Sequence, residues 1–442
     1  MSNETGKQLS TVSETKQDRE AHLWWYAEPA VWTEKMLAAL YKGVKGGKWF
    51  SLVDKTACYD NLEKGWLRVQ ANGGAAGVDK KSVEEFEAHL GSELKKMGKH
   101  LLEGDYQPQP VRRVEIPKGD GSKRPLGIPT VRDRVVQTAI VQTIEPIFER
   151  EFNANSFGFR PGLGCKDALR EVMRHLKEGY LWVLDADIRS FFDGIDHEIM
   201  MERLKEKISD GKLLGVIERY LKQKIVDNMR EWVPEEGTPQ GAVLSPLLAN
   251  IYLHPLDKEM EEKGYRMVRY ADDFVVLCKS EREAGEALGV IERFMRENKL
   301  SLHPDKTRTL DASGKDGFDF LGYHFCRGGM HWPRKKSIKS FREKVKSLTP
   351  RSSGKSLNVI IKSLNRFLKG WFAYFKHSHK WTFGTLDSWT RRRIRSILRK
   401  RSKRKGISRG WDHNRWPNAF FAEMGLFSLK DAHQSACKSL CR

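Results

Sequence analysis

No apolar run in this sequence approaches the length needed to cross a bilayer, so no membrane-spanning helix is expected. The first twenty residues carry Glu4, Lys7, Glu14, Lys16, Asp18, Arg19 and Glu20 and lack the apolar core of a secretory signal, which leads us to expect a cytoplasmic product with no membrane partner. Cysteine is scarce. The six cysteines, at 58, 165, 278, 326, 437 and 441, form no CxxC pair, a distribution that fits reduced thiols and not a disulfide framework. His433, Cys437 and Cys441 recur every four residues and could share a helical face, but with no second pair they fall short of a zinc site.

Acidic residues are nearly missing from the last quarter of the chain. Residues 331–442 hold 29 Lys and Arg against 5 Asp and Glu, while residues 1–330 hold 50 against 53, so the whole-chain net charge of +21 originates after His331. A region that basic points to phosphate backbones as partner, because counterion release favours such binding. At 442 residues the chain has room for two to four domains. Residues 1–22 read as polar and disordered, and Leu23-Trp24-Trp25-Tyr26 with Trp32 as the start of a helical extension.

Against this background, two acidic segments stand out. Arg266-Met267-Val268-Arg269 and Val275-Val276-Leu277 flank Tyr270-Ala271-Asp272-Asp273-Phe274, the pattern of a β-hairpin with an acidic tip. The apolar run Leu181–Leu184 ends in Asp185-Ala186-Asp187-Ile188. Placing Asp187 beside Asp272 would concentrate negative charge, which is costly unless a hard divalent cation neutralises it. Few cations are expected to balance them, since the adjacent motif residues are mostly apolar. Elsewhere, Val111–Pro117 and Ser122–Pro125 alternate like the arms of a hairpin around Lys118-Gly119-Asp120-Gly121. Leu364, Phe367, Leu368, Trp371, Phe372 and Phe375 recur at helical spacing as a core stripe, with Lys362, Arg366, Lys369 and Lys376 on other faces. Residues 391–405 contain ten Lys or Arg, yet Ile394, Ile397 and Leu398 keep a helical period, so a helix lying along phosphate is expected there.

Several of these segments, in this order, resemble the motifs of group II intron reverse transcriptase/maturases. They are Gly73–Asp79, Ile116–Pro129, Phe157–Gly162, Asp187–Phe192, Gly237–Gly241 through Ser245–Asn250, Tyr270–Asp273, Leu302–Thr307 and Phe320–Tyr323. The resemblance spans roughly residues 60–380. It implies an α+β fold of right-hand polymerase architecture with fingers and palm, followed by a helical thumb/maturase domain. The corresponding boundaries are 1–60 for an N-terminal extension, 61–180 for fingers, 181–335 for palm, 336–405 for thumb/maturase X domain, and 406–442 for a short C-terminal basic nucleic-acid-binding module.

By the same resemblance, Asp187, Asp272 and Asp273 are the catalytic carboxylates, and Asp187, Ile188, Asp272 and Asp273 form the metal set for two Mg²⁺ ions, with Mn²⁺ able to substitute. Lys118, Arg124, Phe192 and Gln240 are the nucleotide contacts. Phe192 is expected to escape the core and bar a 2′-hydroxyl, on the argument that alternation along a strand leaves Phe191 inside. Lys306 resembles a lysine that assists pyrophosphate departure. Lys362, Arg366, Lys369, Arg391, Arg392, Arg393 and Arg395 are the expected nucleic-acid contacts. The implied partners are intron RNA, an RNA template with DNA primer, target DNA and dNTPs. The chain ends before the His and Cys clusters of the family's HNH endonuclease, so the type lacking that domain is expected. Two other readings remain: a reverse transcriptase of this lineage recruited to phage defence or repair, and an RNA-binding splicing factor without polymerase activity.

Overall fold

The computed structural model describes residues 26–44, 46–117, 123–227, 230–326, 328–404 and 410–440. The expectations for residues 1–22, for Leu23-Trp24-Trp25 as the start of a helical extension, for the Lys118 turn and for Cys441 therefore lie outside the described residues. The strands are β1 (Val111–Pro117), β2 (Lys123–Ile128), β3 (Trp182–Asp187), β4 (Ile225–Asp227), β5 (Arg230–Trp232), β6 (Arg266–Tyr270), β7 (Asp273–Cys278), β8 (Arg308–Asp311), β9 (Phe318–Phe320), β10 (Tyr323–Cys326) and β11 (Met330–Pro333). Two compact units are assembled from alternating stretches of chain.

The first unit comprises the described residues of Met1–Leu163 with Ile188–Glu259 and Arg293–Ser301. Its centre is the helix Val131–Glu149, started by the Thr130 hydroxyl accepting from the Asp133 N–H at 3.1 Å. That helix is buried along nearly its whole length, with the polar Gln137, Gln142 and Thr143 inside as well as its apolar residues. Helix Tyr59–Asn72 packs on it closely because Gly65 has no side chain: a Cβ there would lie 3.0 Å from the Val135 carbonyl. Asp133 is fully buried and satisfied by Tyr106, Tyr220 and Thr130 hydroxyls and the Gln109 N–H. The sheet of this unit runs β2-β1-β4-β5, with β1 and β2 the antiparallel hairpin anticipated from alternation, Pro117 opposite Lys123.

The second unit comprises Gly164–Asp187, Met260–Glu292 and the described residues of Leu302–Arg442. It holds an antiparallel sheet in the order β6-β7-β3-β8 and a smaller one, β11-β10-β9. After β11 the chain is helical, from Lys335–Leu348 through Leu357–Phe375 and Trp381–Arg401 to the short helices up to Leu440. The predicted stripe forms its core: Leu364 and Leu368 are buried with Phe341, Leu386, Ile394, Ile397, Phe421 and Leu429, and Phe367, Trp371 and Phe372 pack against them. Tyr323 and Tyr374 hydroxyls donate to the Tyr374 and Leu321 carbonyls, tying β10 to the second of these helices. Asp387 accepts from the Leu429 and Lys430 N–H groups at 3.0 Å and so caps the last helix.

Candidate active site and nucleic-acid surface

The carboxylates meet in the second unit because of strand register. Strand β3 pairs antiparallel with β7, which sets Asp187 opposite Asp273, and with β8, which sets Asp185 opposite Arg308. Alternation sends Asp185 and Asp187 to the same face. Tyr270 pairs with Asp273, so Ala271-Asp272 is the two-residue loop of the β6-β7 hairpin, as its pattern predicts. Ala271 carries a positive φ of 60°, a conformation few side chains adopt. The fully buried Arg269 buttresses it, donating to the Ala271 carbonyl at 2.8 Å.

Burial pushes the Asp273 carboxyl up to about 7, with the negative charges of Asp185, Asp272 and Asp187 adding to the rise and Arg334 opposing it. Burial also raises Asp185, against the pull of Arg308. Such a cluster is a hard-oxygen donor set with excess negative charge and fits a divalent cation. Away from these carboxylates, His100, Glu103 and Asp105 bring three ligand atoms within 4.8 Å of one another on the surface, His100 Nδ1 lying 2.9 Å from Asp105. The Ile188 side chain is buried and apolar, so only its carbonyl could serve as a ligand.

One expectation fails here. The carboxylates are not without balancing cations: Lys306 Nζ lies 2.6 Å from Asp187 Oδ2 and the Arg308 guanidinium 3.3 Å from Asp185. Lys306 is 119 residues from Asp187 in sequence, so motif-adjacent residues could not reveal it. Asp185 and Arg308 were likewise missed, although the i, i+2 spacing of Asp185 and Asp187 already placed both on one face.

The expected nucleotide contacts that are described fall in the first unit. The Arg124 Nε donates to Gln240 Oε1 at 2.8 Å. Beside them lies a cavity of about 260 Å³ lined by Arg113, Gly127, Asp193, Trp232, Thr238 and Gln240, among others. The loop bearing Gln240 is sewn in place: the Gly237 and Thr238 N–H groups donate to the Ile195 and Phe192 carbonyls, both at 2.7 Å. Gly241, at φ 106°, comes so near β2 that a Cβ would lie 2.7 Å from the Gly127 carbonyl. Burial raises the Asp193 carboxyl, opposed by Arg113 and Arg124.

Phe192 departs from expectation. Strand β3 stops at Asp187, Ser190 turns the chain at φ 45°, and Phe191–Asp193 is a short 3₁₀ turn, so strand alternation does not apply. Both rings are buried, Phe192 at 8% exposure and Phe191 at 2%, in edge contact at 5.4 Å. Lys118 lies outside the described residues.

The basic helices also divide. Lys362, Arg366 and Lys369 are exposed on one helical face, and they line an open groove with Asn358, Asn365 and Met424. The arginine run is a correction. Arg395 is buried, its Nε donating to the Trp416 carbonyl and its Nη2 to Asn418, both at 2.9 Å, with the guanidinium 5.0 Å from the Phe421 ring centroid. Arg393 donates to the Thr349 carbonyl at 2.8 Å, and Arg391 is half-buried near Asp387. Arg392 alone of the four is exposed. An arginine can join a core when its aliphatic stem packs there and carbonyl oxygens accept hydrogen bonds from its guanidinium.

A reverse transcriptase (RNA-dependent DNA polymerase) family model matches residues 116–325, and a group II intron maturase-specific domain matches residues 338–416. Protein YkfC of Escherichia coli (strain K12) is 34% identical over 293 residues, covering 57% of this chain and 76% of YkfC. The group II intron-encoded protein LtrA of Lactococcus lactis subsp. cremoris is 32% identical over 294 residues, covering 52% of this chain and 49% of LtrA. The chain belongs to the group II intron reverse transcriptase/maturase family. It is by family an RNA-directed DNA polymerase, of a class whose chemistry depends on divalent metal. Its α+β organisation, with a helical region after the carboxylate-bearing sheet, is that of a right-hand polymerase. Among solved structures, a partial Cas6-RT-Cas1–Cas2 complex aligns at 26% identity and a TM-score of 0.35, covering 56% of this chain and 41% of that one.

Proposed function

We propose that the chain copies RNA into cDNA by two-metal phosphoryl transfer and binds group II intron RNA to assist splicing and retrohoming. Its further partners are an RNA template with DNA primer, target DNA and dNTPs. The observation that carries the reading is the register that sets Asp187 opposite Asp273 with Asp272 in the adjoining loop. In this reading residues 61–180 act as fingers, 181–335 as palm, 336–405 as thumb and 406–442 as a C-terminal nucleic-acid-binding module.

Asp187 and Asp272 would hold the Mg²⁺ ions, with Asp273 assisting at the primer terminus and the Ile188 carbonyl available to complete the set. When bound, the ions neutralise charge at the attacking 3′-hydroxyl and the departing pyrophosphate. Asp273 must be ionised to contribute, which a carboxyl at about 7 permits once a cation stands beside it. Arg124, oriented through its Nε by Gln240, receives the triphosphate together with Lys118. Phe192 excludes a 2′-hydroxyl from a position fixed by its contact with Phe191. Lys362, Arg366, Lys369 and Arg392 are the phosphate contacts.

The test is extension of a DNA primer annealed to an RNA template with Mg²⁺ and dNTPs. Asp187→Asn or Asp272→Asn should abolish extension and leave RNA affinity nearly unchanged. Full extension by Asp272→Asn would overturn the assignment.

A further inference from the structure

The two carboxylates that β3 sends to one face meet different cations. Asp185 is the last residue of β3 that β8 pairs, and Arg308 opposite it places both Nε and Nη2 at 3.3 Å from Asp185 Oδ2. Asp187 lies two residues beyond that ladder, where the chain before β8 folds back over it. The His303 N–H donates to the Asp187 carbonyl at 2.8 Å, and the Lys306 and Thr307 N–H groups close a turn on the His303 carbonyl at 3.2 and 3.0 Å. This turn delivers Lys306 Nζ to Asp187 Oδ2 at 2.6 Å.

Three features make this ammonium separable from the fold. The turn is held by main-chain bonds, so it does not need the lysine side chain. The pair is open, with Lys306 at 59% and Asp187 at 37% side-chain exposure, and open ion pairs are weak and easily exchanged. Lysine is a compact point charge on a flexible stem, unlike the forked guanidinium that grips Asp185, whose side chain is 18% exposed. An oxygen that accepts from an ammonium at 2.6 Å cannot also bind a divalent ion at about 2.0–2.1 Å from the same direction.

We propose that Lys306 is a displaceable counter-cation of the carboxylate centre: its ammonium and an incoming divalent ion compete for Asp187 Oδ2, and loading the metal releases the lysine. This rests on the reading that Asp187 binds metal. The exchange breaks one ion pair and forms one metal–oxygen bond, with no proton transferred. Arg308 remains beside the more buried Asp185, which leaves one carboxylate of the face balanced while the other exchanges. The lysine thereby lowers the site's intrinsic metal affinity and keeps like-charged carboxylates from repelling one another before loading.

The experiment is a titration of the full chain with Mn²⁺, followed by electron paramagnetic resonance, without primer or nucleotide. Lys306→Gln should tighten Mn²⁺ roughly two- to fivefold, the range expected for removing an open ion pair that competes with the metal. Lys306→Arg, which keeps the charge and pairs more firmly, should bind no tighter than the parent. In the parent, the ¹⁵Nζ resonance of Lys306 should move to its solvent-exposed position as Mn²⁺-competing Mg²⁺ saturates the site. A Gln variant with unchanged Kd, whatever its melting temperature, or a Lys306 resonance indifferent to Mg²⁺, would overturn the exchange. If Asp187→Asn leaves Mn²⁺ binding as in the parent, the metal assignment of Asp187 fails as well, an outcome distinct from failure at Lys306 alone.

Discussion

Replacing Asp273 by Asn should flatten the dependence of metal-free stability on pH. The carboxyl is pushed from the ordinary 3.8 to about 7, first by burial and then by Asp185, Asp272 and Asp187. Because the folded value lies above the unfolded one, the fold favours the protonated acid. That contribution is fully present below pH ~4 and is lost progressively as pH rises to about 7, leaving the ionised carboxylate as a constant cost above. A rise of this size corresponds to about 4 kcal/mol at pH 8, an upper figure because neighbours relax around a charge. Asn keeps the shape of the protonated group and removes the titration. With chelator present, urea midpoints at pH 5 and pH 8 should separate for the parent by clearly more than for Asp273→Asn. Added Mg²⁺ should raise the parent's stability at pH 8 and the variant's far less. Other raised carboxyls, such as Asp185, titrate in both proteins, so the difference between them isolates Asp273. Parallel loss of stability in parent and variant between the two pH values would refute the argument.

Phe192→Ala should raise the efficiency ratio of rNTP to dNTP incorporation, and it should also cost roughly 3 kcal/mol of stability because the ring is buried; an unchanged ratio in the folded variant would confine Phe192 to the core. The basic helices should respond in two ways. Neutralising Lys362, Arg366 and Lys369 to Gln should leave melting almost unmoved and flatten the slope of log RNA affinity against log salt by roughly 0.7–0.9 per lost phosphate contact. Arg395→Glu should instead destabilise the helical region by roughly 3–5 kcal/mol, since it strands a buried charge among the groups that served the guanidinium; a stable variant with a shallower salt slope would return Arg395 to the surface.

The acidic hairpin was legible because its signals are local: apolar runs alternate on either side of a two-residue tip, and β6 pairs β7 as that pattern requires. The aromatic stripe from Leu364 to Phe375 was legible for the same reason, as a period of 3.6 over three turns. What was not legible depended on distance or on sign. The Lys306–Asp187 pair joins residues that no period connects. The burial of Phe192 was misread because nothing in Arg189-Ser190 marks where β3 stops and the chain takes a positive φ. Among the arginines from 391 to 395, charge conceals which side chain points inward. Ile394 and Ile397 share one face, but Arg395, about 100° round from Ile394, is buried instead by the later segment carrying Trp416, Asn418 and Phe421, which no period within the helix reveals.

The order of strands in the carboxylate sheet also sets a schedule for making the protein. Strand β3 has β7 on one side and β8 on the other, and both are encoded far downstream of it. On the ribosome, a nascent chain that has just produced Asp187 holds an unpaired strand whose neighbours do not yet exist. The β6-β7 hairpin can form by itself as it emerges, but Asp187 acquires its position only when that hairpin docks, and Lys306 and Arg308 arrive later still. Pairings between strands so distant in sequence close slowly and leave edges open to wrong partners meanwhile. Translation that stalls between Cys278 and Arg308 would yield β3 paired on one side only, with its acidic face lacking both cations. Chaperone demand during synthesis should therefore be highest between Asp187 and Cys278, while both sides of β3 are open, and fall as each neighbour docks.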